Sequence, residues 1–115
     1  MDTTALEVRN DPARHRYELL DGETVIGAAH WVDVEGPDGP QRIFHHTTVD
    51  DARSGQGLGS TLVRHALDDT IGAGLAVVPV CPYVENWLGK HPDHQRHAVP
   101  VRPEHLAAVP RPERR

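Results

Sequence analysis

The feature that most constrains how this chain folds is a change of hydrophobic period near residue 57. Before it, apolar side chains alternate or cluster in short runs and no helical period appears. After it, Leu58, Leu62, Val63, Ala66, Leu67 and Ile71 form a single helical stripe. The first half therefore reads as strands. Leu6-Glu7-Val8 alternates until Asn10-Asp11-Pro12 breaks it, and Arg16-Tyr17-Glu18-Leu19 alternates up to Asp21-Gly22, a hairpin signal. A longer strand spans Thr24 to Glu35, carried by Val25, Ile26, Trp31, Val32 and Val34. Gly36-Pro37-Asp38-Gly39-Pro40 is a turn cluster, and Gln41 to Val49 is the next strand. Strict alternation puts Ile43, His45, Thr47 and Val49 on one face and Arg42, Phe44, His46 and Thr48 on the other. Four strands joined by short turns make an antiparallel meander.

A polar stretch over residues 50–54 and a glycine-rich one, Gly55-Gln56-Gly57-Leu58-Gly59-Ser60, separate the meander from the helix, which Gly72 and Gly74 end. Leu75 to Val80 is a continuous apolar run, the pattern of a strand covered on both faces. Pro79 inside it cannot donate to a ladder, which predicts a bulge or one-sided pairing there. Pro82 suits the first turn of a second, short helix with Val84, Trp87 and Leu88 on its apolar side, closed by Gly89 to Pro92. Residues 100–115 hold four prolines and four arginines against two glutamates. They read as a Pro/Arg-rich tail with at most a helical turn at Glu104–Ala108 and a mobile end, leaving residues 1–99 as the domain.

With 115 residues the chain is one domain. Its single cysteine excludes a disulfide framework. Its net charge of −5 argues against nucleic acid, which is bound through Lys and Arg on phosphates. No apolar run is long enough to span a membrane, and the acidic start does not look like a signal peptide. The expectation is a soluble, cytoplasmic protein. Nine histidines invite a metal reading, above all His91, His94 and His97, but Pro92 interrupts the helix that would align them and no cysteine is near. No metal site is expected.

A strand, a glycine-rich loop and an amphipathic helix together make an anion site, because the first N–H groups of the helix are unpaired and its dipole favours negative charge. A P-loop would need a lysine at the end of the loop, and none is there. A dinucleotide fingerprint would need a third glycine where Ser60 stands. A pyrophosphate loop for coenzyme A fits, as does a plain glycine-rich turn.

Thr47-Thr48-Val49, the polar loop, Gly55-Gln56-Gly57-Leu58-Gly59-Ser60 and Leu62-Val63 resemble the coenzyme A segment of the GNAT superfamily of acyl-CoA N-acyltransferases. Cys81-Pro82-Tyr83-Val84 and His91-Pro92-Asp93 are similar to two marks of a small one-domain subgroup, so the likeness runs from about Phe44 to His94. The resemblance implies an α/β fold with a mixed, mostly antiparallel sheet, two helices and the coenzyme A loop after the fourth strand. It implies acetyl transfer from acetyl-CoA to an amine of a small molecule or a protein lysine. It also implies a coenzyme A site at Thr48, Val49, Ser54, Gly55, Gln56, Gly57, Leu58, Gly59 and Ser60, with the thioester in a gap between the fourth and fifth strands. There are departures. Ser54 stands where relatives carry Arg or Gln, Thr48 where many carry a glutamate base, and Asp93-His94 where Glu-Tyr is usual.

Acetyl transfer to an amine needs a base for the ammonium proton, a polarised carbonyl and a proton for the leaving thiolate. Cys81 is a candidate nucleophile or acid, or a wall of the pocket, and an inert buried thiol fits equally. Tyr83 is a candidate acid for the thiolate, or a packing aromatic. His45 and His46, expected on opposite faces of their strand, are candidate bases in place of the missing glutamate, or structural histidines. A non-catalytic acyl-CoA-binding protein is the rival function, and a small interaction domain a third. The acceptor and the oligomeric state are not legible.

Overall fold

The computed structural model describes residues 6–50 and 57–110. Strands β1 (Leu6–Asp11), β2 (Arg16–Asp21), β3 (Thr24–Gly36) and β4 (Gly39–Val49) form the antiparallel meander. After helix α1 (Leu58–Gly72), strand β5 (Ala76–Pro79) joins the sheet parallel to β4, completing the order β1-β2-β3-β4-β5. Helices α2 (Pro82–Gly89), α3 (Pro92–Gln95) and α4 (Pro103–Ala108) follow. The architecture is the mixed, mostly antiparallel α/β sheet expected. The two expected helices are α1 and α2, and two shorter ones follow them.

The turns do what their residues require. Gly22 adopts φ 64° in the two-residue link between Asp21 and Thr24. Gly36 pairs with Gly39 across Pro37-Asp38, so β4 begins two residues earlier than the turn cluster indicated. Both long pairings carry an extra residue. Leu19 pairs with Gly27 and Leu20 with Val25, so Ile26 is inserted in β3. His30 pairs with His46 and Trp31 with Phe44, so His45 is a bulge in β4.

α1 and α2 share one core cluster with a single face of the sheet. Tyr17, Leu19, Ala29, Trp31 and Phe44 meet Leu62, Val63, Ala66 and Leu67 of α1 and Val84, Trp87 and Leu88 of α2. Each fully buried leucine or valine is worth roughly 1.5–3 kcal/mol, so this stripe is what holds α1 to the sheet. A polar chain crosses the same face. Asp33 accepts from Arg42, Arg42 donates to the Tyr17 hydroxyl at 2.7 Å, and that hydroxyl donates to Asp69 of α1 at 2.6 Å.

Val77 and Val78 are buried, as their apolar run demanded. Pro79 is the last residue of β5, opposite Phe44, and strand pairing ends with it. On the outer side of β5 lie residues 97–99, where Val77 donates to the His97 carbonyl and Val99 to that of Val77. The helical turn expected near residue 104 is α4. Its His105 is 4% exposed, accepts the Arg102 N–H at Nδ1 and donates from Nε2 to Gln41 Oε1 at 2.8 Å. The final residues, expected to be mobile, lie outside the described ones from 111 onward.

Candidate active site

The site begins where β4 and β5 part. The two strands pair from Gln41–Ala76 to Phe44–Pro79, and the Cys81 N–H still donates to the Phe44 carbonyl at 2.8 Å. β4 then continues to Val49 against β3 alone. Its outer edge from His45 to Val49, which holds Thr48 and Val49, is paired with no strand among the described residues. A proline that cannot donate and a bulge in the neighbouring strand coincide at the parting, and both weaken the ladder there. Such an edge offers peptide N–H and C=O groups to an extended, amide-bearing chain.

Cys81 closes the inner end of this notch. It is the N-terminal flanking residue of α2, with extended backbone (φ −69°, ψ 126°) and Pro82 in the first turn. Its thiol is 4% exposed and donates to Thr47 Oγ1 at 3.5 Å. Thr47 was not among the candidate residues. Its pairing with Ala29, a core residue, marks it as turned toward the helices.

α1 starts against α2, the helix that Cys81 flanks. Gly57 flanks it at φ 72°, no side chain caps the helix, and the place a Cβ would occupy at Gly57 is open space. The N–H groups of the first turn therefore have no side-chain cap. At Gly59 there is no such open space, since a Cβ there would meet the Tyr83 hydroxyl. Tyr83 is 45% exposed and lies over the start of α1 rather than in the core. Ser60 Oγ accepts from Trp87 Nε1 at 2.8 Å, tying α1 to α2. Leu58 is a core residue, which leaves only its backbone for a ligand. A groove of about 270 Å³ runs between the helices past Ser60, Tyr83, Trp87 and Lys90. Ser54, Gly55 and Gln56 lie outside the described residues.

His45 and His46 are not on opposite faces. Their neighbour His30 lies between Ala29 and Trp31, both in the helix-side core, so it points to the helix-free face. The His45 and His46 rings lie 6.1 and 5.7 Å from the His30 ring. Both therefore stand on that face, because the bulge at His45 interrupts the alternation. Burial lowers the proton affinity of His45, with smaller effects from His30 and His46. Burial does the same at His30, helped by His46 and Arg16. His30 was missed in the sequence, although counting back from the Gly36–Gly39 turn brings it opposite His45 before the bulge shifts it to His46.

His91 and His94 are engaged elsewhere. His91 stacks on Trp87 at 3.6 Å and bonds the Trp87 carbonyl through Nδ1, while His94 Nε2 is 2.7 Å from Asp68. Among the described residues, no group of three ligating side chains is placed to hold a metal. No helix among them is long and apolar enough to cross a membrane.

Residues 16–97 match a protein family described as GCN5-related N-acetyl-transferase. No curated relative matches the sequence. Among solved structures, a GCN5-like protein from Staphylococcus aureus is similar at TM-score 0.63 and 18% identity, over 89% of this chain and 96% of that one. An aminoglycoside acetyltransferase from an uncultured soil sample is similar at TM-score 0.54 and 17% identity, over 70% of this chain and 55% of that one. A ribosomal-protein-alanine N-acetyltransferase from Brucella melitensis is similar at TM-score 0.50 and 20% identity, over 75% and 64%. At these identities the structural likeness concerns the fold.

Proposed function

Since the chain belongs to the GCN5-related N-acetyltransferase family, we propose that it moves an acetyl group from acetyl-CoA to an amine of a small molecule or a protein lysine. The observation that carries this reading is the parting of β4 and β5 at Phe44, with Cys81 at its inner end leading into α2, whose Tyr83 lies against the uncapped start of α1.

In this reading the first N–H groups of α1, beginning at Gly57, take the pyrophosphate, with Ser54-Gly55-Gln56 preceding them in the sequence. The free edge at Thr48 and Val49 takes the amide-bearing pantetheine arm, which brings the thioester up to the parting of the strands. The neutral amine attacks the thioester carbonyl, a C–N bond forms and the C–S bond breaks. The sulfur then needs a proton. Tyr83, exposed over the start of α1, is the candidate donor, and Cys81 forms the inner wall beside Thr47. Thr48 offers no carboxylate base, so the imidazoles of His45 and His46 on the helix-free side of the notch take the ammonium proton.

The absence of a carboxylate at Thr48 also favours the rival, a protein that binds acyl-CoA without turning it over. Thermal shift with acetyl-CoA, followed by coenzyme A release with a panel of amines, separates the two. Stabilisation without release by any amine would establish the rival, and no stabilisation would remove both.

A further inference from the structure

The helix-free face of the sheet gathers three imidazoles, those of His30, His45 and His46, none of them part of the helix-side core. Resting on the transfer reading above, we propose that His30 is a positioning residue for the base: its imidazole stands against both His45 and His46 and opposes positive charge on the candidate bases of that face.

Geometry carries this. His30 and His46 are direct cross-strand neighbours, and the bulge brings His45 round to the same side, so one imidazole contacts both candidates. Without the bulge, alternation would send one of the pair into the helix-side core. The parting of β4 and β5 begins at Phe44, so the two β4 histidines border the notch from this face. Beside His30 a depression of about 320 Å³ runs along Arg16, Gly27, Thr48 and Asp50, leaving room for an approaching amine.

Among the described residues, the charged groups beside His30 come from three places. From β2 come Arg16, its cross-strand partner, and Glu18, which is 1% exposed and accepts from Arg16 at 2.8 Å and from Arg9 at 3.5 Å. Asp50 lines the depression. From β4 come only the two imidazoles. Glu18 is committed to two arginines, and a proton on one ring opposes a proton on the next. Burial and these neighbours lower the proton affinity of both His30 and His45.

The proton balance is simple. The acceptor ammonium gives one proton to the His45 or His46 imidazole and becomes a nucleophile. The amine nitrogen bonds the carbonyl carbon, the C–S pair stays on sulfur, and the second nitrogen proton ends on that sulfur. The imidazole then returns its proton to water.

The test is an NMR titration of the imidazoles in the full chain, without acyl donor, beside the pH profile of kcat/KM. In His30→Gln the His45 midpoint should rise, by at most about half a pH unit, the size of one charge at 6 Å in water. The acid limb of the profile should follow. In His30→Arg, where the charge is permanent, the His45 midpoint should move the other way. A purely structural role would not reverse sign between two folded variants. An unmoved His45 midpoint, or a moved one with a fixed acid limb, overturns the inference while leaving acetyl transfer intact. A wild-type chain that releases no coenzyme A with any amine overturns the transfer reading instead, and His30's part in it.

Discussion

At the scale of single residues, Cys81 and the histidines make opposite demands on experiment. The Cys81 thiol is buried and bonded to Thr47, so alkylation by iodoacetamide should be slow and bound acetyl-CoA should slow it further. Equal labelling rates with and without the donor would place Cys81 outside the acyl pocket. Direct transfer also means that mass spectrometry during turnover should find no acetyl group on Cys81. For the histidines, two rings on one face can partly replace each other. His45→Gln and His46→Gln should each lower turnover by about tenfold and the double variant by about a hundredfold, the lower range for a general base. Full activity in the double variant would exclude both.

The lowered proton affinities of His30 and His45 carry a stability consequence with a definite sign. The unfolded chain binds their protons more readily than the folded one. Their contribution is therefore fully present above the ordinary imidazole value near 6.5 and is lost as pH falls below it. Urea midpoints should drop from pH 7 to 5, and His30→Gln should flatten that drop. An equal drop in the variant would assign the effect to other groups.

At the scale of elements, the start of α1 is where local rules and ligand chemistry meet. Gly57 sits in the left-handed region, so any L residue there costs about 1–2 kcal/mol while its side chain enters open space. Gly57→Ala should thus lower the thermal midpoint by several degrees yet fold, and should weaken acetyl-CoA binding by calorimetry at least tenfold. Unchanged affinity would move the pyrophosphate elsewhere. Gly59 differs, because its Cβ would displace Tyr83 rather than strain the backbone. Gly59→Ala should lower turnover as Tyr83→Phe does, at nearly wild-type stability. This pair of glycines was legible as a motif, but their separate reasons were not. The conformation of one and the tyrosine above the other depend on how α2 returns to α1.

At the scale of the whole molecule, the Asp33–Arg42–Tyr17–Asp69 chain ties the sheet to the far end of α1. Burial, with the Asp69 bond next, pushes the Tyr17 phenol up to about 12, so Tyr17 stays protonated where the unfolded chain would ionise. That stabilisation is present below pH 10 and is lost as pH rises toward 12. Tyr17→Phe leaves Arg42 and Asp69 short of a partner and should cost about 1–3 kcal/mol in urea melts at pH 7. A neutral result would mean that water replaces the phenol.

The sequence by itself determined the order and kind of the main elements, because periods of two and of 3.6 residues, and Gly and Pro at their ends, act locally. It also carried the family resemblance, and the proposal of an anion site at the helix start rests on it. Three things were decided only by tertiary structure. One is the common face of His30, His45 and His46, since a single inserted residue reverses strand alternation and only pairing reveals it. Another is the seating of α4, whose buried His105 finds Gln41 from 64 residues away in sequence. The last is the depth of the notch, set by where Pro79 stops pairing while β4 runs on to Val49. Each depends on contacts between segments far apart in the chain, and a local pattern carries no record of those.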